Sequence, residues 1–403
     1  MMKIKKSVGI ICEYNPFHSG HSYQIEEMRR RGYDRVVCVM SGNSVQRGEF
    51  AITDKYTRAE MAVCGGADLV LELPFPYSSS SAEFFALAGI RILDAVGVDS
   101  ICFGSECGSI EKLNRAAEIC EGESFLNVYK EMIGTGVGTT KAYFEAYKQL
   151  AGEELPGGAN DILGVAYLRA LKKENSKIEP IVLKREGSDY REDELPEDAE
   201  KFPSATMIRK KLFEINGLEK LRDFVPKETY DLLCAAIKDG SAPINMDSLD
   251  LAVMAMLRLF DPSKIEDIAD AGGGLGEKIL SAARDSVKYS ELVSVVSGRN
   301  YPESRSRRAI LYMLLSVSAE DLRRRPSYVQ VLGFNQIGRE MLAELRKCDK
   351  IPFITKPADA SELGAEARRQ RELTDRCDAF FTLALPLKKS SAEYIKRSPY
   401  IKM

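Results

Sequence analysis

Val8–His21, VGIICEYNPFHSGH, passes from an unbroken apolar run through a turn and into a helical pattern. Apolar residues at every position of Val8–Cys12 predict a strand covered on both faces. Asn15, Pro16 and Gly20 are turn formers, and Ile25 and Met28 open a helical spacing. The same unit recurs downstream. Apolar runs at Arg35–Met40, Leu69–Leu73, Ser100–Phe103 and Ile178–Leu183 alternate with helical patterns at Asp54–Cys64, Ala82–Ala95, Ile110–Cys120, Lys141–Leu150 and Asp161–Lys173. Such alternation predicts an α/β fold with a doubly wound parallel sheet. Ligands of such sheets bind beyond the carboxyl ends of the strands. The turns after Cys12, Met40 and Phe103 are therefore expected to open onto one crevice.

From about Asn216 the apolar spacing becomes helical, as in Ser248–Phe260, Glu277–Ala283, Glu291–Val296 and Ala309–Leu315, with a break at Gly272–Gly274. This predicts two domains, 1–215 and a mostly α-helical 216–403. A chain of 403 residues is long enough for both. Hydrophobic residues make up 44% and charged residues 29%, as in a soluble globular protein, and the net charge of −3 does not mark the whole chain as a nucleic-acid binder. The nine cysteines are scattered with no C-x-x-C, and the closest pair, Cys102 and Cys107, suits neither zinc nor redox chemistry; reduced core thiols and a cytoplasmic location are expected. The basic start Met1–Lys6 leads into a strand rather than a leader peptide, and no apolar run approaches the roughly 18 residues of a membrane span.

The two histidines of the chain both fall in His18-Ser19-Gly20-His21, after a strand and before a helix. A helix N-terminus offers N–H groups and a positive dipole end that suit phosphate, and imidazoles can add donors. Gly20 leaves room for close approach to the backbone. Attack on an α-phosphate is catalysed mainly by positioning and by donors aimed at developing charge. His18 and His21 are thus the candidate catalytic residues. Capping or surface histidines in a turn are the plain alternative. No metal site is expected, since no Cys or third His stands nearby with ligand spacing.

His18–His21, taken with Ser204–Arg209 (SATMIR), resembles the HxGH nucleotidyltransferase superfamily with its closing ISSTxxR-type motif. More narrowly, GIICEYNPFHSGH (Gly9–His21), MSGNSVQRGEF (Met40–Phe50), DKYTRA (Asp54–Ala59), GADLVLELP (Gly66–Pro74), FGSE (Phe103–Glu106), NDILG (Asn160–Gly164) and FPSATMIR (Phe202–Arg209) resemble the tRNA(Met) cytidine acetate ligase family. Ser297–Arg308 and VLGF (Val331–Phe334) are looser echoes. The resemblance implies ATP and acetate as substrates, an acetyl-adenylate intermediate, and transfer of acetyl to N4 of the wobble cytidine of elongator tRNA(Met), with Mg²⁺ accompanying ATP and no prosthetic group or membrane. It also implies an ATP site. Ile11, Cys12, Glu13, Tyr14, Asn15, Pro16, Phe17, His18, Ser19, Gly20, His21 and Ser22 would form the first turn, with Tyr14, Asn15 and Phe17 as its nucleotide-side wall. Gly104 and Ser105 would meet adenosine through their backbone. Asn160 and Arg185 would contact ATP, although Asn160 also fits an N-cap. Ser204 would cap the helix that carries Thr206 and Arg209 to the phosphates. Ala205 departs from the superfamily, which often has a second Ser there. Gln46, Arg47, Lys55 and Arg58 are expected on the acyl or tRNA side, or on a solvated face.

An acidic chain that binds RNA needs a local basic surface. Arg299–Lys347 carries ten basic against five acidic side chains. Arg299, Arg305, Arg307, Arg308, Arg323, Arg324 and Arg325 are the candidate tRNA contacts, with Tyr301, Tyr312, Tyr328 and Phe334 as stacking candidates. Two other functions compete. One is a nucleotidyltransferase passing AMP or CMP to a small phosphorylated substrate, for which the helical half has no evident use. The other is a binding module with a vestigial nucleotide fold, against which the intact His18, Gly20 and His21 stand.

Overall fold

The computed structural model of the chain describes residues 5–185, 203–348 and 350–403. Met1–Ile4 of the basic start and Phe202 of the closing motif lie outside the described residues. The five expected strands form as β1 (Ser7–Cys12), β2 (Arg35–Ser41), β5 (Leu69–Leu73), β6 (Ser100–Ser105) and β7 (Glu179–Lys184), with a short hairpin, β3 (Ser44–Val45) and β4 (Glu49–Phe50), between β2 and β5. The connections hold α1 (Ser19–Arg30), α2 (Lys55–Cys64), α3 (Ala82–Val96), α4 (Ile110–Glu121), α5 (Glu123–Gly134), α6 (Thr139–Ala151) and α7 (Ala159–Lys173), and α8 (Ala205–Leu212) follows β7.

β1 lies between β2 and β6 and is parallel to both, with Ile10 opposite Cys38 and Val8 opposite Ser100. β5 continues beyond β2, and β7 beyond β6, again parallel. In the order β5-β2-β1-β6-β7 the chain steps one way from β1 and then restarts on its other side at β6. A sheet that reverses this way opens a crevice beyond the carboxyl ends of the two strands at the reversal. Alternate strand residues serve two cores. Ile10, Cys38 and Val70 pack with Ile25 and Met28 of α1 and Met61 of α2, while Ile11, Val39 and Leu71 pack with Ile90 of α3 and Tyr167 of α7. The unbroken apolar runs follow from this double coverage. The nine cysteines are unpaired.

The second half supplies α9 (Lys227–Lys238), α10 (Asp250–Arg258), α11 (Leu275–Asp285), α12 (Tyr289–Val296), α13 (Glu303–Leu315) and α14 (Ala319–Arg323), then β8 (Val329–Phe334), α15 (Gln336–Leu345), β9 (Phe353–Ile354), α16 (Ala365–Ala384), α17 (Ser391–Tyr394) and β10 (Tyr400–Ile401). Helices dominate, as the mostly helical spacing predicts, and three strands that it did not predict lie among them. β8 is antiparallel to β5, with Leu69 opposite Phe334, and β9 and β10 run parallel to β8. The whole of VQVLGF is buried, which a six-residue strand inside a sheet allows. Behind this edge, Lys55 Nζ lies 2.7 Å from both Glu72 of β5 and Asp378 of α16. Burial favours the neutral amine, yet the two carboxylates outweigh it and hold Lys55 protonated well above its ordinary range. Among the described residues no helix is long and apolar enough to cross a membrane.

Candidate functional site

α1 starts from His18, whose extended backbone (φ −142°, ψ 174°) places its ring beside the first turn. His18 Nδ1 accepts from the Gly20 N–H at 3.1 Å, and the His18 N–H donates to His21 Nδ1 at 3.2 Å. The rings stack with centroids 3.7 Å apart. A ring nitrogen that accepts from a backbone N–H carries no proton, so each neutral imidazole bears its proton on Nε2. His18 is 4% exposed. Burial, then Arg185 and Arg209, push its pKa down to about 3. Burial, His18 and Arg185 hold His21 well below its ordinary value. At neutral pH the turn therefore offers two uncharged Nε2–H donors.

The free backbone donors expected at this helix end are engaged, which corrects the sequence expectation. Gly20 N–H is held by His18 Nδ1, His21 and Ser22 N–H by His18 O at 2.8 and 3.2 Å, and Ser19 N–H by Phe224 O at 3.5 Å. A side-chain cap and a tight first turn consume them. The imidazoles and the dipole remain.

Most side chains of Ile11–Phe17 point into the core. Tyr14 and Phe17 are 1% and 0% exposed and pack on His21, with centroids 4.6 and 5.6 Å from its ring. They support the histidine from beneath and form no open wall; Pro16 is buried with them. Ile11 is in the core and Cys12 Sγ faces Val39 O at 3.9 Å. Asn15 Oδ1 accepts from Ile52 N–H at 2.7 Å, and Asn15 O from Arg209 Nη1 at 2.9 Å. Glu13 Oε1 accepts from Gln46 N–H at 2.9 Å, and Ser19 Oγ donates to Phe224 O at 2.9 Å.

The facing wall is the end of β6. Arg185 N–H donates to Ser105 O at 2.9 Å, and Gly104 lies under the Arg185 side chain. Ser105 Oγ is engaged by Asp161 and by Gly108 N–H. Asn160 does not cap α7. That place belongs to Gly158, and the Glu106 carboxylate takes the first N–H groups of the helix. Ser204 does cap α8, accepting from Met207 N–H at 3.2 Å, and Arg209 reaches back to Thr206 Oγ1 at 3.2 Å. His18, His21, Arg185 and Arg209 thus gather at the strand reversal, on a turn, a strand end and a helix.

Lys55 and Arg58 are buried, not solvated. Arg58 ties the carbonyls of Glu13, Ser41, Gly42 and Thr53, so it braces the loops around the crevice. Arg47 is exposed at the tip of the β3–β4 hairpin, and Gly48 beside it (φ 79°) lets the hairpin sit against the Arg307–Arg308 backbone. Arg307 pairs with Glu49 and Glu303. Arg308 is 9% exposed and bonded to Asp270 at 2.7 Å, so it is withdrawn from the candidate RNA surface. Arg305 grips the carbonyls of Asp270 and Gly272 and stacks on Tyr301. Arg324 pairs with Glu320 and Arg325 with Glu174, the latter beside a cavity bordered by the first residues of β6 and β7, at the opposite ends of the strands. The side chains of Arg299 and Arg323 are exposed and unengaged among the described residues. Tyr312, Tyr328 and Phe334 are core residues, which leaves Tyr301 as the stacking candidate. The sequence reading did not single out Glu106 or Glu72. A lone charge in the apolar run LVLEL was the available signal for Glu72; Glu106 was marked only as the last residue of the family-like FGSE after a strand.

A family model described as HIGH Nucleotidyl Transferase matches residues 5–395. A tRNA(Met) cytidine acetate ligase of Caldanaerobacter subterraneus subsp. tengcongensis is 39% identical over 363 residues, covering 88% of this chain and 89% of that protein. The one from Acetivibrio thermocellus is 37% identical over 371 residues, with the same coverage of 88% and 89%. The structure of Thermotoga maritima TmcAL bound with α-thio ATP superimposes with a TM-score of 0.89 at 29% identity, covering 99% of this chain and 100% of that one. Its apo form gives 0.90 at 30% identity, covering 98% and 99%.

Proposed function

The chain belongs to the tRNA(Met) cytidine acetate ligase family of HIGH nucleotidyl transferases, and from that premise we propose that it is an ATP-dependent ligase joining acetate to N4 of the wobble cytidine of elongator tRNA(Met). The carrying observation is the pair of neutral histidines flanked by Arg185 and Arg209 at the strand reversal. The α-thio ATP held by the Thermotoga maritima relative supports it. Carboxylates do not acylate amines unaided, so acetate must first gain a leaving group. An acetate oxygen attacks the α-phosphorus of ATP, pyrophosphate departs, and acetyl-adenylate forms. The exocyclic N4, the only amine of cytosine, then attacks the acetyl carbon; AMP leaves and N4 gives up a proton.

In this scheme the Nε2–H groups of His18 and His21 bond to the α-phosphoryl oxygens, where charge grows as the phosphorus is attacked. Arg185 and Arg209 hold the phosphates, Arg209 kept in place by Asn15 O. The backbone of Gly104–Ser105, with Asn160, holds the nucleoside. Mg²⁺ arrives on the phosphate oxygens of ATP; among the described residues no cluster of His, Cys, Asp or Glu offers a resident site. The RNA side is the exposed or half-buried set Arg47, Arg299, Arg305, Arg307 and Tyr301, with Arg323, Arg324 and Arg325 as a second, more distant set. Incubation with ATP, radiolabelled acetate and bulk tRNA tests the proposal. Acid-precipitable label that requires both ATP and tRNA is the expected result. Pyrophosphate exchange that ignores acetate would point instead to nucleotidyl transfer, and absence of all turnover to a binding module.

A further inference from the structure

Glu106 stands at the carboxyl end of β6 and has no part in the scheme above. Three donors converge on it. Its Oε1 accepts from Asn160 Nδ2 at 2.6 Å and from Asn160 N–H at 3.3 Å, and its Oε2 accepts from Asp161 N–H at 2.9 Å. Gly158 makes room for this approach, since a Cβ there would lie 2.3 Å from Oε2. The contact settles how the Asn160 amide is turned. An ionised carboxylate only accepts, so the atom facing it must be the NH₂ group. The other end of the amide, Oδ1, receives no donor from the described residues, and Asn160 is only half-buried.

We propose that Glu106 is a positioning residue that engages the Asn160 amide donor and fixes Oδ1 as an acceptor for a donor on the nucleoside, either the exocyclic amine of adenine or a ribose hydroxyl. The inference rests on the ATP site assigned above. Phosphate oxygens are acceptors only, so Oδ1 has nothing to take from them. Guanine presents a carbonyl oxygen where adenine presents its amine, and would meet Oδ1 acceptor against acceptor, with both groups left unpaired.

The test is acetate-dependent ATP–pyrophosphate exchange by the full chain, with ATP, GTP, 2′-deoxyATP and 3′-deoxyATP. Glu106→Ala should lower the preference for ATP over whichever counterpart lacks the recognised donor by about three- to tenfold, the span of one neutral hydrogen bond. The change should fall mainly on KM. Loss against GTP identifies the amine; loss against a deoxynucleotide identifies the hydroxyl. Glu106→Gln should recover part of the preference, and Glu106→Ala with Asn160→Ala should be no worse than Asn160→Ala alone. A mere cap of α7 would depress exchange with all four nucleotides in proportion, and unchanged ratios overturn the proposal. Should Glu106→Ala fail to fold, Asn160→Ala gives the same readout, and unchanged ratios there overturn it equally. A wild-type protein that exchanges none of the four overturns the ATP site and this proposal together.

Discussion

His18 has two separable tasks, one in the helix and one at the phosphate. Its Nδ1 caps α1 and its Nε2 carries the proton. His18→Ala should cost about 1 kcal/mol of stability, the usual value of a lost cap, and should lower adenylate formation by about 10²- to 10³-fold, the usual value of a lost donor. His18→Asn keeps a capping oxygen, so its urea midpoint should return toward wild type while pyrophosphate exchange stays low. Recovery of both would mean that the ring only caps. His21→Ala should abolish exchange and leave tRNA binding nearly intact. A second measurement follows from the lowered pKa of both rings. The chain has two histidines, so two imidazole resonances can be followed cleanly by NMR. Neither should titrate between about pH 5.5 and 8, because both folded values lie below the ordinary 6.5. The unfolded chain binds the extra protons, so this contribution to stability is full above pH 6.5 and is lost as pH falls toward 3. A midpoint near 6.5 in the folded protein would contradict the burial argument.

The buried triad of Lys55, Glu72 and Asp378 joins α2, β5 and α16. Removing the amine with Lys55→Ala would leave two carboxylates face to face without water, and should cost about 3–5 kcal/mol in chemical denaturation. A loss below 1 kcal/mol would show that the carboxylates had become neutral or hydrated. The elements themselves were largely legible beforehand. β1, β2, β5, β6 and β7 are apolar runs because both sheet faces are covered, and Ser204 is the cap its side chain suggests. Other features were hidden for physical reasons. Glu72 and Lys55 are ordinary charged residues until folding brings Asp378 from more than 300 positions away. VQVLGF lies in the half expected to be mostly helical, and its place in the sheet depends on a partner, β5, that is remote in sequence. The candidate site divides the same way. The histidines could be named from local pattern, and Arg185 and Arg209 from the family resemblance, but the engaged N–H groups of α1 and the Glu106–Asn160 contact depend on rotamers that no spacing encodes.

Across the whole molecule, charge is more evenly balanced than its basic segment suggests. Arg307, Arg308, Arg324 and Arg325 all face acids, so the cations open to an RNA backbone are fewer than the sequence count. Replacing Arg47 and Arg299 with Ala should flatten the dependence of log K for tRNA on log salt by roughly one unit per residue. The Arg323–Arg325 triple should flatten it by about one unit in all, since two of the three are already paired. Equal slopes in every variant would remove both sets from the interface. The strand edge completed by β8 and β10 has a consequence for dissection of the protein. A fragment ending at residue 215 would keep every residue of the nucleotide turn, yet it would bare the backbone of Leu69–Leu73 along one side. Such an unprotected margin recruits other chains. Truncation should therefore yield self-associating material in place of a working half-enzyme, and separately expressed pieces should regain activity only when the missing C-terminal residues are added back in trans.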